Sequence, residues 1–375
     1  MEAINSKFIK NDGKRKIILS LSSFFIPIIL LSIIYFMLNI TPFGERTLLT
    51  IDLNGQYISY FSYLKNAILG NDNLLYSFSK TMSGNMVGLV GYYLLSPFNI
   101  LFLFSETAGF PLIVTIITML KTGTAGLTMY TYLKNHRSSN ILTVSLTTAY
   151  AMSGYMIAYQ QNIMWLDGVI LLPLIILGID KMIKNKNNYI YPLFLSIAVI
   201  TNYYIGFMLC IFSVIYFISA LIQKSLDKNL NYKNNIKLIA KFIALSLIAG
   251  GISSITWLPS LLSYSGSSKV EFDWSTIFTT GTNFSLIEFI SKFITGTYNR
   301  QQMIEGLPNI FIPTTLVLIS IPFLINKFIK KSIKVKYTIL LLTMYFSFNF
   351  IGLNRVWHGF ANPTWFPYRY SMSFS

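Results

Sequence analysis

The sequence predicts an all-α polytopic membrane protein, and three observations carry that prediction. Charged residues make up only 11% of the chain, against about 25% in a typical soluble domain. Apolar runs such as 17–40 and 111–133 reach the roughly 20 residues that a helix needs to cross the hydrocarbon core. These runs are rich in Ile, Leu and Phe without the alternation of barrel strands, so helices are the spanning element.

The net charge of +16 would suggest nucleic acid in a soluble protein. Here the bases cluster in short loops, which is the positive-inside pattern, and anionic headgroups can reinforce it. The partner implied is a lipid bilayer and not nucleic acid. Cys210 is the only cysteine and His136 and His358 the only histidines. Intrachain disulfides are therefore impossible, and no thiol or histidine metal site is assigned.

Taken in order, residues 1–16 read as a cytoplasmic tail carrying Lys7, Lys10, Lys14, Arg15 and Lys16. The run 17–40 is too long for a cleaved signal peptide, and Thr41-Pro42-Phe43 is a poor cleavage context, so it is an anchor. The basic residues before it place the N-terminus in the cytoplasm. Residues 17–375 form one transmembrane domain, with a first external loop at 41–110. Within that loop Tyr57, Ile58, Phe61, Leu64 and Ile68 recur at helical spacing, predicting an interfacial helix over 54–69. Gly70-Asn71-Asp72-Asn73 ends it with turn chemistry.

The run 86–104, with Gly91-Tyr92-Tyr93 and Ser96-Pro97, reads as a broken or re-entrant segment that does not cross. That choice sends 111–133 inward and lands Lys134 and Arg137 in the cytoplasm. Residues 141–159 then go out, 160–167 turn, and 168–182 return. Residues 189–203 and 205–222 form a tight pair of short spans, followed by a basic cytoplasmic loop at 223–241. Residues 242–257 exit, 260–309 form a second external loop, 310–325 re-enter and 337–351 exit. On this topology 20 of the 29 lysines and arginines are cytoplasmic, eight are external and Lys121 lies in a span. The external face holds Glu45, Asp52, Asp72, Glu106, Asp167, Glu271, Asp273, Glu288 and Glu305, so function is sought there.

No Walker loop, Rossmann fingerprint, HExxH or Ser-His-Asp signature stands out, leaving ATP-driven and redox chemistry unsupported. Asp52 and Gln56, four residues apart at a membrane edge, are the leading candidates. Asp52 can act as a general base, hold a cation, or complement a helix dipole. Lys121, mid-span, either binds a lipid phosphate or pairs with a carboxylate. Trp165 and Asp167 belong to the site or to an aromatic belt. The pairs Tyr92-Tyr93 and Tyr203-Tyr204 can stack on sugar rings or serve the same belt. Arg369, with His358, Trp357, Trp365 and Tyr368, forms a basic aromatic patch; its guanidinium can grip a phosphate bidentately or snorkel to the interface. Asn283-Phe284-Ser285 matches a glycosylation acceptor.

Several of these stretches together resemble the YfhO family of bacterial membrane proteins, relatives of the GT-C glycosyltransferases. The resemblance is carried by Asp52-Leu53-Asn54-Gly55-Gln56-Tyr57, then Gly91-Tyr92-Tyr93-Leu94-Leu95-Ser96-Pro97-Phe98-Asn99. It continues through Tyr150-Ala151-Met152-Ser153-Gly154-Tyr155, Trp165-Leu166-Asp167, Leu172-Pro173-Leu174 and Thr201-Asn202-Tyr203-Tyr204. It ends at Pro363-Thr364-Trp365-Phe366-Pro367-Tyr368-Arg369-Tyr370. The order is that of the family, over nearly the whole chain.

The resemblance implies a GT-C-like multi-helix bundle with large extracytoplasmic loops in the bacterial plasma membrane. It implies sugar transfer from a polyprenyl-phosphate-linked donor to an envelope acceptor such as lipoteichoic acid. Asp52 falls on the family's catalytic base and Gln56 on its polar partner. Lys121, Arg369 or a divalent cation would steady the departing phosphate. Family members are longer, so the chain reads as an N-terminal piece. A flippase for lipid-linked saccharides, or a non-catalytic assembly factor, is the alternative expectation.

Overall fold

A computed structural model describes residues 2–374 apart from 79, 81–82, 137–139, 229–231, 266–273, 295, 297–298 and 364. Arg137, Lys269, Glu271 and Asp273 of the charge count, and Thr364 of the last motif, lie outside the described residues. The chain is helical almost throughout. Helix α1 (Glu2–Met37) continues through the basic stretch expected as a separate tail, since lysine and arginine are good helix formers.

A single π turn, Leu53–Tyr57, leads into α2 (Ile58–Ile68), so the helix expected over 54–69 is present but begins with one wide turn. Strands β1 (Tyr76–Ser77) and β2 (Gly84–Asn85) pair antiparallel. Helix α3 (Val87–Leu89) passes into a second π turn, Val90–Leu94. The chain then bends by 93° into the 3-10 helix Pro97–Phe104. Pro97 explains the bend: the residue before a proline is pushed out of the helical region, and Ser96 sits at φ −62°, ψ 130°. This is the broken segment that the sequence led one to expect.

The bundle proper comprises α4 (Phe110–Leu133), α5 (Ile141–Ala151), α6 (Gly154–Ala158), α7 (Leu166–Ile183), α8 (Ile190–Thr201), α9 (Tyr203–Lys228) and α10 (Tyr232–Ser265). Two expectations change here. Residues 189–222 are not two short spans, because α8 has 12 residues and α9 has 26. The break falls at Asn202, whose Oδ1 accepts from the backbone of Tyr204 and Ile205 and starts α9 afresh. Nor are the described residues of 223–241 a loop, since α9 runs on to Lys228 and α10 takes in Lys233, Lys237 and Lys241 and is 34 residues long.

Beyond it come α11 (Leu286–Ser291), α12 (Arg300–Glu305), α13 (Thr314–Ile325), α14 (Lys331–Asn349), α15 (Ile351–Trp357) and a 3-10 turn, Arg369–Ser373. The 12 residues of α13 fall short of the roughly 20 needed to cross. Among the described residues, six helices are long and apolar enough to span a membrane, or seven if the bent pair counts as one.

Helix α7 is the centre: 89% of its apolar window is buried, against 17% for α1 and 22% for α10. Those two outer helices turn their apolar faces to lipid. Helix α1 sits tightly on α4 because Gly123 and Gly126 offer no side chain there. A Cβ on Gly126 would collide with the Ser23 carbonyl, the close approach that small residues permit between membrane helices. The threonines of α4 hide their own polarity: Thr115, Thr118, Thr122 and Thr131 each donate to the carbonyl one turn back.

Two polar clamps tie α4 to α7. At one end Lys121, fully buried, donates to Asp167 Oδ2 and to the Ile163 carbonyl, both at 2.8 Å. At the other, His136 Nε2 lies 2.8 Å from Asp180 Oδ2. Tyr216 of α9 donates to Asp180 Oδ1 at 2.9 Å, and Lys336 of α14 donates to the Tyr216 hydroxyl at 2.7 Å. Asp167 and Asp180 are thirteen residues apart, roughly 20 Å of helix rise, so α7 is pinned near both its ends, to the middle of α4 and to the turn just past α4, and the two helices run parallel.

Removing one partner of a buried pair strands the other charge, at a cost of about 3–5 kcal/mol, whereas an apolar replacement of both is often neutral. Lys121→Met should therefore lower the thermal unfolding midpoint of the purified protein sharply. Adding Asp167→Leu to it should recover most of the loss.

Candidate functional site

The site is built around the first π turn. Asp52 stands half-buried at its N-cap position without a capping hydrogen bond, and Leu53 and Tyr57 point inward while Asn54, Gly55 and Gln56 face out. A π turn holds about one residue more than an α turn and is frequent at functional sites. Here it brings the Tyr57 hydroxyl to 3.4 Å from Asp52 Oδ2 and 3.1 Å from Asn162 Oδ1. Burial, reinforced by Tyr93 and Asp52, pushes the Tyr57 phenol up. It keeps its one proton and shares it between those two acceptors.

The residue before Asp52 is Ile51, in left-handed backbone at φ 49°. A β-branched residue there is a genuine outlier, costing roughly 1–2 kcal/mol. Local strain of this kind persists where the surroundings dictate it. Leu53, entirely buried, and the Thr50 hydroxyl, 3.4 Å from Gln161 Oε1, supply that constraint.

The second π turn lies against the first. Its Tyr93 ring sits 5.0 Å from Tyr57 and 4.5 Å from Tyr92. The Tyr92 hydroxyl accepts from Trp165 Nε1 at 3.1 Å, and the Tyr92 carbonyl accepts from Asn202 at 2.9 Å. Asn202 thus starts α9 with its oxygen and holds the aromatic wall with its nitrogen. Trp165, 2% exposed, ends a 3-10 turn over Ile163–Trp165 whose Ile163 carbonyl is held by Lys121.

Arg369 arrives from the far end of the chain. Its guanidinium lies 5.2 Å from the Trp165 ring and 5.3 Å from the Tyr204 ring, within cation–π reach. Nη2 donates to the Trp365 carbonyl at 2.9 Å, while Nε is buried without an acceptor. Among the described residues, no carboxylate comes within ion-pair distance of it. Burial disfavours its charge, but the oxygens of Tyr204, Tyr92, Tyr159 and Tyr57 more than offset this, and its pKa is raised. Phe366, three residues earlier, is left-handed at φ 53° and packs its ring on Trp165 and Tyr159.

His358 supports the arginine from behind. Nε2 lies 2.7 Å from the Pro367 carbonyl and Nδ1 2.7 Å from the Tyr204 hydroxyl. The carbonyl can only accept, so the proton is on Nε2, and Nδ1 accepts from Tyr204. The Tyr204 oxygen in turn meets Arg369.

Of the residues singled out from sequence, Asp52, Tyr92, Tyr93, Trp165 and Arg369 converge. Gln56 does not pair with Asp52; it faces outward, and Tyr57 takes the place beside the carboxylate because the turn is a π turn. Lys121 and Asp167 pair with each other just beneath Trp165. Sequence reading missed Asn162 and the part played by Tyr57, although a polar Gln161-Asn162 pair in an apolar setting was a visible signal. Among the described residues, no three of His, Cys, Asp and Glu converge as a metal set would.

Burial, with the nearby Arg369 charge, pulls the His358 pKa down to about 3 from 6.5. A depressed value means that the folded state favours the neutral ring. This contribution is complete above pH 6.5 and is lost as pH falls from there towards 3. Thermal unfolding in detergent should show stability falling below pH 6.5 by up to about 1.4 kcal/mol per unit. His358→Asn, which cannot charge, should flatten that slope.

The sequence model of the family described as bacterial membrane protein YfhO matches residues 22–375. No curated protein matches the chain, and no solved structure does. The family match runs from the first spanning helix through both π turns, the Trp165 turn and Arg369. The chain belongs to the YfhO family of bacterial membrane proteins.

Proposed function

We propose that this protein is a membrane glycosyltransferase that moves a sugar from a polyprenyl-phosphate-linked donor to an extracytoplasmic acceptor such as lipoteichoic acid. The observation that supports this is the sharing of one aromatic-walled site by a carboxylate and an arginine without a carboxylate partner. Tyr57 feels both charges. In this reading the N-terminus is cytoplasmic and the Asp52 end faces outward. Nucleotide sugars are not available on that side, so a lipid carrier is the fitting donor.

Asp52 takes the proton of an acceptor hydroxyl as its oxygen attacks the anomeric carbon. The bond from that carbon to the lipid phosphate breaks, the electron pair leaves with the phosphate, and the configuration inverts. Arg369 meets the departing phosphate with its free donors, charge-assisted and bidentate. The half-buried rings of Tyr92 and Tyr93 form the wall against which a sugar stacks, with Trp165 buried behind them as its support. Gln56, at the exposed lip, is placed to meet the acceptor. Lys121 and Asp167 hold the Ile163–Trp165 turn in position.

Asp52→Asn should abolish sugar addition in cells while leaving membrane insertion intact, as read by mass spectrometry of envelope polymers. Undiminished transfer by that variant would overturn the assignment. Arg369→Lys keeps the charge but loses the planar fork. It should lower kcat by about 10²-fold, as loss of one transition-state donor does.

A further inference from the structure

A cavity of about 370 Å³ opens at the end of the bundle away from Asp52, between the last turns of α7 and α9. The apolar spans of those helices stop at Ile183 and Asp227, so the cavity lies where hydrocarbon gives way to the headgroup layer. Ile183 and Ala220 give it an apolar floor, and Asp180 also lines it. Both Asp180 oxygens are already engaged, by His136 and Tyr216, so that carboxylate serves the fold. Lys224 donates to the Ile183 carbonyl at 3.0 Å and holds the two walls at a fixed spacing.

The α7 wall is shaped by the way that helix ends. The backbone N–H of Lys186 donates to the Lys181 carbonyl and that of Asn185 to the Met182 carbonyl, the two bonds of a Schellman cap. Asn185 takes the left-handed conformation this requires, at φ 54°, which asparagine tolerates. Lys184 and Asn185 thereby come to the cavity rim, both exposed. Asn185 Oδ1 accepts from Lys241 at 3.1 Å, which turns its amide N–H groups towards another acceptor. On the α9 wall Gln223 and Asp227 are four residues apart and share a helix face. Asp227 Oδ1 accepts from Ser332 at 2.7 Å, so the carboxylate is oriented and keeps Oδ2 for a ligand. Among the described residues neither Lys184 nor Asp227 forms an ion pair, although both line this one cavity.

Opposite charges held apart across a cavity select what it takes. A simple anion is drawn to Lys184 but repelled by Asp227, and a simple cation meets the reverse. A ligand carrying both signs satisfies both walls. We propose that this cavity binds a zwitterionic group, an ammonium joined by a short carbon bridge to a phosphate. Asp227 and the Gln223 amide oxygen accept from the ammonium, while Lys184 and the Asn185 amide donate to the phosphate. The bridge rests on Ile183 and Ala220. An aminophospholipid headgroup and free phosphoethanolamine both carry this chemistry. The level of the cavity, and Leu226 lying 57% exposed beside Asp227, suit the lipid source. The site is separate from the Asp52 end and does not depend on the glycosyltransferase reading.

The test places the whole protein in nanodiscs of equal parts phosphatidylglycerol, phosphatidylethanolamine and phosphatidylcholine, and native mass spectrometry reads the lipid retained. Phosphatidylethanolamine should be kept over both others, since phosphatidylglycerol lacks the ammonium and phosphatidylcholine has no N–H to donate. Asp227→Asn and Lys184→Gln, both at exposed positions, should each lower its retention by about fivefold, the worth of an exposed ion pair. Glu45→Gln, an exposed carboxylate between α1 and Asp52, should change nothing. A second arm adds phosphoethanolamine to nanodiscs of phosphatidylglycerol alone. Binding there that depends on Asp227, without preference for phosphatidylethanolamine in the first arm, assigns the cavity to the free compound; the opposite pair of results assigns it to the lipid. Equal retention of the three lipids with no binding of phosphoethanolamine would overturn the proposal. So would folded Asp227→Asn and Lys184→Gln that bind as the unaltered protein does.

Discussion

The contact between Lys121 and Asp167 determines where α7 begins, and much of the Asp52 end follows from that. A lysine without water must satisfy its donors inside the protein, and this one takes both the Asp167 carboxylate and the Ile163 carbonyl. The second bond fixes the short turn ahead of α7, and with it Trp165 and Asn162. Trp165 then holds Tyr92, and Asn162 holds Tyr57. A buried ion pair is thereby coupled to the orientation of the whole aromatic wall. At the opposite end Asp180 gathers α4, α7, α9 and α14 in the same way, leaving an apolar stretch between two polar ones.

The wall itself has an electrical purpose. Ring faces and phenolic oxygens surround Arg369 where a carboxylate would normally be expected. Carboxylates neutralise a guanidinium and occupy its fork. Rings stabilise the charge while leaving its in-plane donors available. The neutral state of His358 fits this scheme, because a second positive charge behind Tyr204 would oppose the first.

Much of this was legible in the sequence. Scarcity of charge, long apolar runs and the clustering of bases give a helical membrane protein, and Ser96-Pro97 announces the bend that the structure contains. Asp52, Tyr92, Tyr93, Trp165 and Arg369 were recognisable as polar or aromatic residues at apolar boundaries. What could not be read was the phase of the helix at Asp52. Spacing by four suggested Gln56 as its neighbour, and only the π turn makes it Tyr57. Helix lengths around 189–241 were also misjudged, because hydropathy falls where lysines begin but the helix does not. Asn202 interrupts α8 and α9 through capping, which no apolar window reveals.

The two π turns have a consequence for how the site can change. Each is a stretch of helix carrying one residue more than an α-helix would, so the side chains on either side are out of step with regular winding. Losing a single residue from Leu53–Tyr57 would let the segment relax into ordinary helix and swing Tyr57 by about 100° relative to Asp52. Substitutions alter the chemistry of this site one group at a time; a change in residue count would dissolve its geometry at once. The pocket is therefore defined as much by the number of residues between its parts as by their identities.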